Sequence, residues 1–185
     1  MRKFFWLGAA LMLVACVAWM VQADEAKQEE HAYIGSSSCK ACHNQEAKGQ
    51  QFTLWENSPH AHAYETLLNE ESQKIAAEMG LEQPAAEAPE CLKCHVTAWD
   101  AKPELLGKKY DQTEGVGCES CHGPAKDWKI SHMRDVEKAM TQGMIHPDAE
   151  LCKTCHNEES PTYKPFSWEK KWPPIAHPNP QNEDE

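Results

Sequence analysis

Gly115-Val-Gly-Cys118-Glu-Ser-Cys121-His122-Gly-Pro-Ala-Lys-Asp-Trp-Lys-Ile-Ser-His132 is the stretch on which the reading of this chain turns. It sets two thiols two residues apart, a histidine directly after the second, and a further histidine at 132. Cys118, Cys121 and His122 spell Cys-x-x-Cys-His, the covalent attachment signature of a c-type haem. Each thiol adds across one vinyl group of the porphyrin, and the adjoining imidazole becomes the proximal iron ligand. The pattern recurs at Cys39-Lys-Ala-Cys42-His43, Cys91-Leu-Lys-Cys94-His95 and Cys152-Lys-Thr-Cys155-His156. Four haem c groups are the first expectation.

Paired cysteines also build zinc ribbons and disulfides. Neither requires a histidine immediately after every pair, and here all four pairs have one although only 10 of 185 residues are histidine. The motifs begin at residues 39, 91, 118 and 152, so the spacing is irregular and no solenoid repeat is present.

The N-terminus reads as an export signal over residues 1–23. Arg2 and Lys3 precede an apolar run from Phe4 to Val21, and Val21-Gln22-Ala23 places small residues where cleavage needs them. A rival reading takes Leu13-Val14-Ala15-Cys16 as a lipid-attachment box, or the whole run as a membrane anchor. Export, to the periplasm or an equivalent space, fits haem attachment, which takes place outside the cytoplasm. Eight cysteines then belong to haem and Cys16 to the leader. Residues 24–32 are expected to be a polar leader, 33–178 the haem domain, and 179–185 a frayed acidic end.

The formal charge of −11 argues against nucleic acid as a partner. It suits redox partner proteins, basic or membrane-bound and quinone-linked, that such a surface could steer. Beyond the leader no long amphipathic stripe or strand alternation is visible. The porphyrins would supply the apolar core, and the fold class expected is mainly α with extensive loops. Helices are expected over Asn44–Trp55, from Ser58 (N-cap) and Pro59 to about Met79, and over Trp128–Gln142, with a hairpin-like excursion in Lys102–Gly117. Six prolines bar a long helix from the tail, Asn157–Glu185, which its aromatic residues should dock to the surface.

Six histidines remain for the distal sides: His31, His60, His62, His132, His146 and His177. Two imidazoles per iron make an electron carrier, whereas a vacant position admits a ligand. His60 and His62, about 200° apart on a helix, cannot both face one haem. His31 reads as a solvated leader residue, and His146 as either a loop histidine or a ligand.

The order of motifs resembles the cytochrome c-554 family of exported tetrahaem cytochromes. Trp55-Glu-Asn-Ser-Pro-His60-Ala-His-Ala and Gly115-Val-Gly-Cys-Glu-Ser-Cys-His-Gly-Pro carry the likeness, together with the other attachment motifs and His132. The resemblance spans roughly Tyr33 to His177 and implies a helical fold with stacked haem pairs. It implies His132 opposite His43, His60 opposite His122, and a tail ligand, His177, opposite His156. His95 is left without an evident partner, so the second iron is expected to be five-coordinate or weakly ligated unless His146 reaches it. An electron carrier is the leading expectation. A haem enzyme acting on a small nitrogen oxide and a subunit of an extended cytochrome assembly are the alternatives.

Overall fold

Glycine, proline and side-chain caps interrupt every periodic stretch of this sequence within a few turns, and short helices are the result. The computed structural model describes residues 30–177 and Pro180; the leader, with Cys16, lies outside the described residues. The chain divides into two units between Glu30 and His31, and the helices, the core and the attachment motifs all belong to the unit that begins at His31. No helix among the described residues is long and apolar enough to cross a membrane.

The helices are α1 (Lys40–His43), α2 (Gln51–Glu56), α3 (Ala63–Thr66), α4 (Glu70–Glu78), α5 (Pro89–His95), α6 (Cys118–His122), α7 (Val136–Thr141), α8 (Ala149–Lys153) and α9 (Trp168–Lys171). His43, His95 and His122 each end a helix, and His156 lies just beyond α8, donating its N–H to the Cys152 carbonyl at 2.9 Å. The mainly helical, loop-rich class expected from the sequence is what forms.

The long helices foreseen are shorter, for local reasons. Gly49 and Gln50, at φ of 92° and 51°, break Asn44–Trp55 and leave only α2 and a 3₁₀ turn at Glu46–Lys48. The segment from Ser58 does not begin a helix at Pro59. The His60 carbonyl accepts from Val116 N at 2.9 Å and Ala63 N at 3.1 Å, which holds the backbone in turns until α3. Asn69 then caps α4 by accepting from Ser72 N at 2.8 Å. Asp135 does the same for α7 through Lys138 N at 2.9 Å, splitting Trp128–Gln142. The expected hairpin in 102–117 is instead two 3₁₀ turns, Pro103–Leu105 and Gln112–Glu114. Its one ladder contact is an isolated parallel bridge from Leu106 to Tyr33.

The protein's own core is small. One cluster gathers Leu67, Ala76 and Ala85, and the other Ala125, Trp128 and Ala139 with Ile34 and Met144 beside them. Leu54, Leu68, Ile130 and Met133 stay exposed on the protein alone. The tail packs through aromatic rings, with Trp168 and Trp172 stacked at 4.7 Å and Phe166 stacked on His156 at 5.6 Å.

Gly123 marks the tightest approach between the third motif and the segment before the fourth. Its φ is 79°, and a Cβ there would stand 2.2 Å from the Gly143 carbonyl oxygen. Gly80 has a similar φ of 73° but open space around it. Gly123→Ala is therefore expected to cost at least about 2 kcal/mol more than Gly80→Ala, because only the former adds a backbone clash to the left-handed strain. Thermal unfolding of the two variants, followed by circular dichroism, measures the difference.

Candidate functional site

The attachment motifs are held together by small polar contacts around Gly115–Ser120. Gly117 N donates to Thr97 Oγ1 at 2.7 Å, and Cys118 N to Ser36 Oγ at 3.1 Å. Thr97 Oγ1 also lies 2.7 Å from Ser120 Oγ and 3.1 Å from the Gly115 carbonyl. Trp55 Nε1 donates to the Val116 carbonyl at 2.9 Å, which fixes the entry to the His60 turn. Segments before the first motif, after the second and within the third thus meet at one point.

That frame pairs the motifs. The thiols of Cys39 and Cys118 share a hydrogen bond that pushes Cys39 up and pulls Cys118 down. Cys94 and Cys155 share another; it pushes Cys94 up and pulls Cys155 down to about 6. Burial pushes Cys121 up to about 11, with the charge of Cys152 as the second cause. Lys93, in the spacer of the second motif, pairs with Glu159 just past the fourth. None of the eight described cysteines is in a disulfide.

Three pairs of histidine rings stand close together, one near-parallel and two edge-on. His43 and His132 stand 6.0 Å apart between ring centres, His60 and His156 6.1 Å, and His122 and His177 5.8 Å. Two metal–nitrogen bonds of about 2 Å plus the two ring radii put imidazole centres roughly 6 Å apart, so each pair has room for one iron. Burial lowers His60, His132 and His156, and brings His122 to about 4 with His177 as the second cause. These four are neutral at pH 7, the state in which an imidazole has a lone pair to offer a metal. Nε1 of Trp128 is buried without a hydrogen-bond partner, and the His132 ring lies 5.4 Å from the indole.

The resemblance implied other partners for two of these rings. His60 meets His156 instead of His122, and His177 meets His122 instead of His156. No distance between a turn at 60, a tail at 177 and the two motifs can be read from residue order; the packing of the His60 turn beneath Val116 decides which is in reach.

His95 has no histidine ring against it among the described residues. Its Nδ1 lies 2.7 Å from the Ala63 carbonyl and 3.2 Å from Thr66 Oγ1. Such a second-sphere bond fixes the ring and leaves Nε2 for a metal. Gln51 Oε1 stands in the same relation to His43 Nδ1, at 3.1 Å. His62 is exposed and pairs with Glu65 at 3.1 Å. His146 is exposed near His122. His31 is not a solvated leader residue: its Nδ1 pairs with Asp127 at 2.7 Å and its ring packs against Gly143.

Several residues of this frame do not stand out in the sequence. Thr97 and Ser36 look like ordinary loop residues there. Glu119 carries a signal, since it is the only acidic spacer among four motifs whose other spacers each contain lysine.

Comparison with known proteins points the same way. The family model for cytochrome c554 and c-prime matches residues 38–123. Cytochrome c-554 of Nitrosomonas europaea is 25% identical over 144 residues, covering 76% of this chain and 59% of that protein. The chain thus spans about three fifths of the length of the curated relative. The solved reduced state of cytochrome c554 from Nitrosomonas europaea superposes with a TM-score of 0.51 at 25% identity, covering 76% of each chain.

Thr97→Val tests the frame. The methyl group keeps the shape but leaves Gly117 N and Ser120 Oγ without their partner in a buried place, which is expected to cost about 1–3 kcal/mol. Urea unfolding of the two proteins measures it, and a neutral outcome would show that the contacts among motifs do not depend on this hydroxyl.

Proposed function

Because the chain belongs to the cytochrome c554 and c-prime family, we propose that it is an exported tetrahaem c-type cytochrome that passes single electrons between redox partners. The observation that carries this reading is the set of three histidine pairs at 5.8–6.1 Å, each joining a motif histidine to one from a distant segment. When bound, the haems supply irons that change by one electron. His43 and His132 would hold the first iron, His122 and His177 the third, and His60 and His156 the fourth. The eight cysteines of the motifs would carry the thioether links.

The pairing of thiols sets the route. Contact between Cys39 and Cys118, and between Cys94 and Cys155, brings the first attachment against the third and the second against the fourth. Cys121, whose thiol feels the charge of Cys152, would link the two pairs. The acidic balance of −11 favours cationic docking partners, soluble or membrane-bound.

A second reading is favoured by one observation, the lack of a histidine ring opposite His95 among the described residues. Ala63 O and Thr66 Oγ1 orient this imidazole. The opposite side of the second haem would then be open to a small ligand such as a nitrogen oxide, and the protein could bind or turn over that ligand as well as carry electrons.

Two experiments test these assignments. A pyridine haemochrome assay should give four haems per chain. His60→Met should then alter the low-spin paramagnetic resonance signal that Cys155→Ser removes and leave the signal removed by Cys121→Ser unchanged; His62→Met should alter neither. The reverse pattern would restore the partners implied by the resemblance. Separately, oxidised protein should show one high-spin iron per chain, and cyanide or nitric oxide should bind to one haem only. If wild-type protein binds neither and His146→Ala creates a site, His146 is the sixth ligand and the second reading fails.

A further inference from the structure

Glu119 is 3% exposed, and both its oxygens are filled by backbone donors. Oε1 accepts from Ala125 N at 2.7 Å and Ile34 N at 2.9 Å; Oε2 accepts from Gly35 N at 2.8 Å and Ile34 N at 3.0 Å. Glu114 continues the row, accepting from Ser36 N at 2.8 Å and Ser37 N at 3.1 Å. Four consecutive amides, Ile34 to Ser37, are thereby taken by two carboxylates that flank the start of the third motif. The segment so held runs directly into Cys39, whose thiol meets that of Cys118.

Every partner of Glu119 is an N–H. A proton on either oxygen would displace one of these donors and leave a buried amide unpaired, which costs about 1–3 kcal/mol. No lysine or arginine forms an ion pair with Glu119 among the described residues. Among the described residues its negative charge is met by backbone amides, and it lies between the attachment segments of the first and third haems. Buried negative charge beside an iron stabilises the ferric over the ferrous state.

We infer that Glu119 is a buried anion with two roles: it positions the first attachment segment against the third, and it holds down the reduction potentials of those two haems relative to the others. The inference rests on the tetrahaem reading, which the haem count of the wild-type protein tests by itself. It concerns a residue that touches neither thiol nor iron, so Glu119 is a positioning residue.

The test is Glu119→Gln in the haem-loaded protein, followed by potentiometric titration of all four haems and hydrogen exchange of individual amides. Two midpoints should move positive while two stay, and the amides of Ile34, Gly35 and Ala125 should lose protection. Midpoints that are all unchanged, or that all move equally, would overturn the inference. Should Glu119→Gln fail to retain four haems, Glu119→Asp keeps the charge on a shorter arm. It is then expected to restore four haems with wild-type midpoints, and an Asp variant no better than Gln would overturn the role of the charge.

Discussion

The peptide groups from Gly115 to Ser120 cannot move without moving segments that are far away in sequence. Their donors and acceptors are committed to Ser36, Trp55, His60 and Thr97, and Glu119 adds Ile34, Gly35 and Ala125. Such convergence needs backbones to come very close. Gly115 and Gly117 permit it, since a Cβ would stand 2.7 Å from the His60 oxygen at the first and 2.3 Å from Ser36 Oγ at the second. Each hydrogen bond contributes only about 1 kcal/mol net, yet leaving one unmade in a buried place costs up to about 3. The network therefore holds together or fails as a unit.

A frame of this kind suits a chain that has little apolar core of its own. Its buried clusters are built largely on alanine, while Leu68 and Ile130 are each 61% exposed on the protein alone. In the proposed assignment the missing cohesion comes from ligation. His132 reaches back to the first motif, His60 forward to the fourth, and His177 from the tail to the third. Each link would close a long loop of chain, and metal-ligand bonding of that sort is folding free energy. The polar frame sets the positions, and the ligand bonds make them worth holding.

The four motifs were legible in the sequence because such a motif is local: thiol, thiol and imidazole lie within five residues. The family and the mainly helical class followed from the same motifs. Helix lengths were not legible, because single side chains such as Asn69 and Asp135 start new helices inside stretches of helical composition. The ring contacts of His60 and His177 were beyond reach for a different reason. Which distant motif a histidine meets depends on how turns pack, here on Val116 N holding the His60 carbonyl. His31 was misread because composition showed a polar leader, whereas Asp127 and Gly143, both remote in sequence, give the ring a seat. Glu119 stood out only as an acid where the other spacers have lysine; its amide partners at Gly35 and Ile34 are 84 and 85 residues away.

The turn from His60 to Thr66 reaches two motifs from one short stretch of backbone. The pull of Val116 on the His60 carbonyl prevents a helix from starting at Pro59 and aims the His60 ring at His156. With that turn in place, the chain enters α3 so that Ala63 O and Thr66 Oγ1 face His95 Nδ1. The segment that in the proposed assignment would cap the fourth motif thus also holds the His95 ring by its Nδ1. His62, between the two contacts, is turned to solvent and held by Glu65. One turn thus serves two motifs: in the proposed assignment it would supply a ligand to the fourth iron through His60 and orient the imidazole of the second through Ala63 O and Thr66 Oγ1.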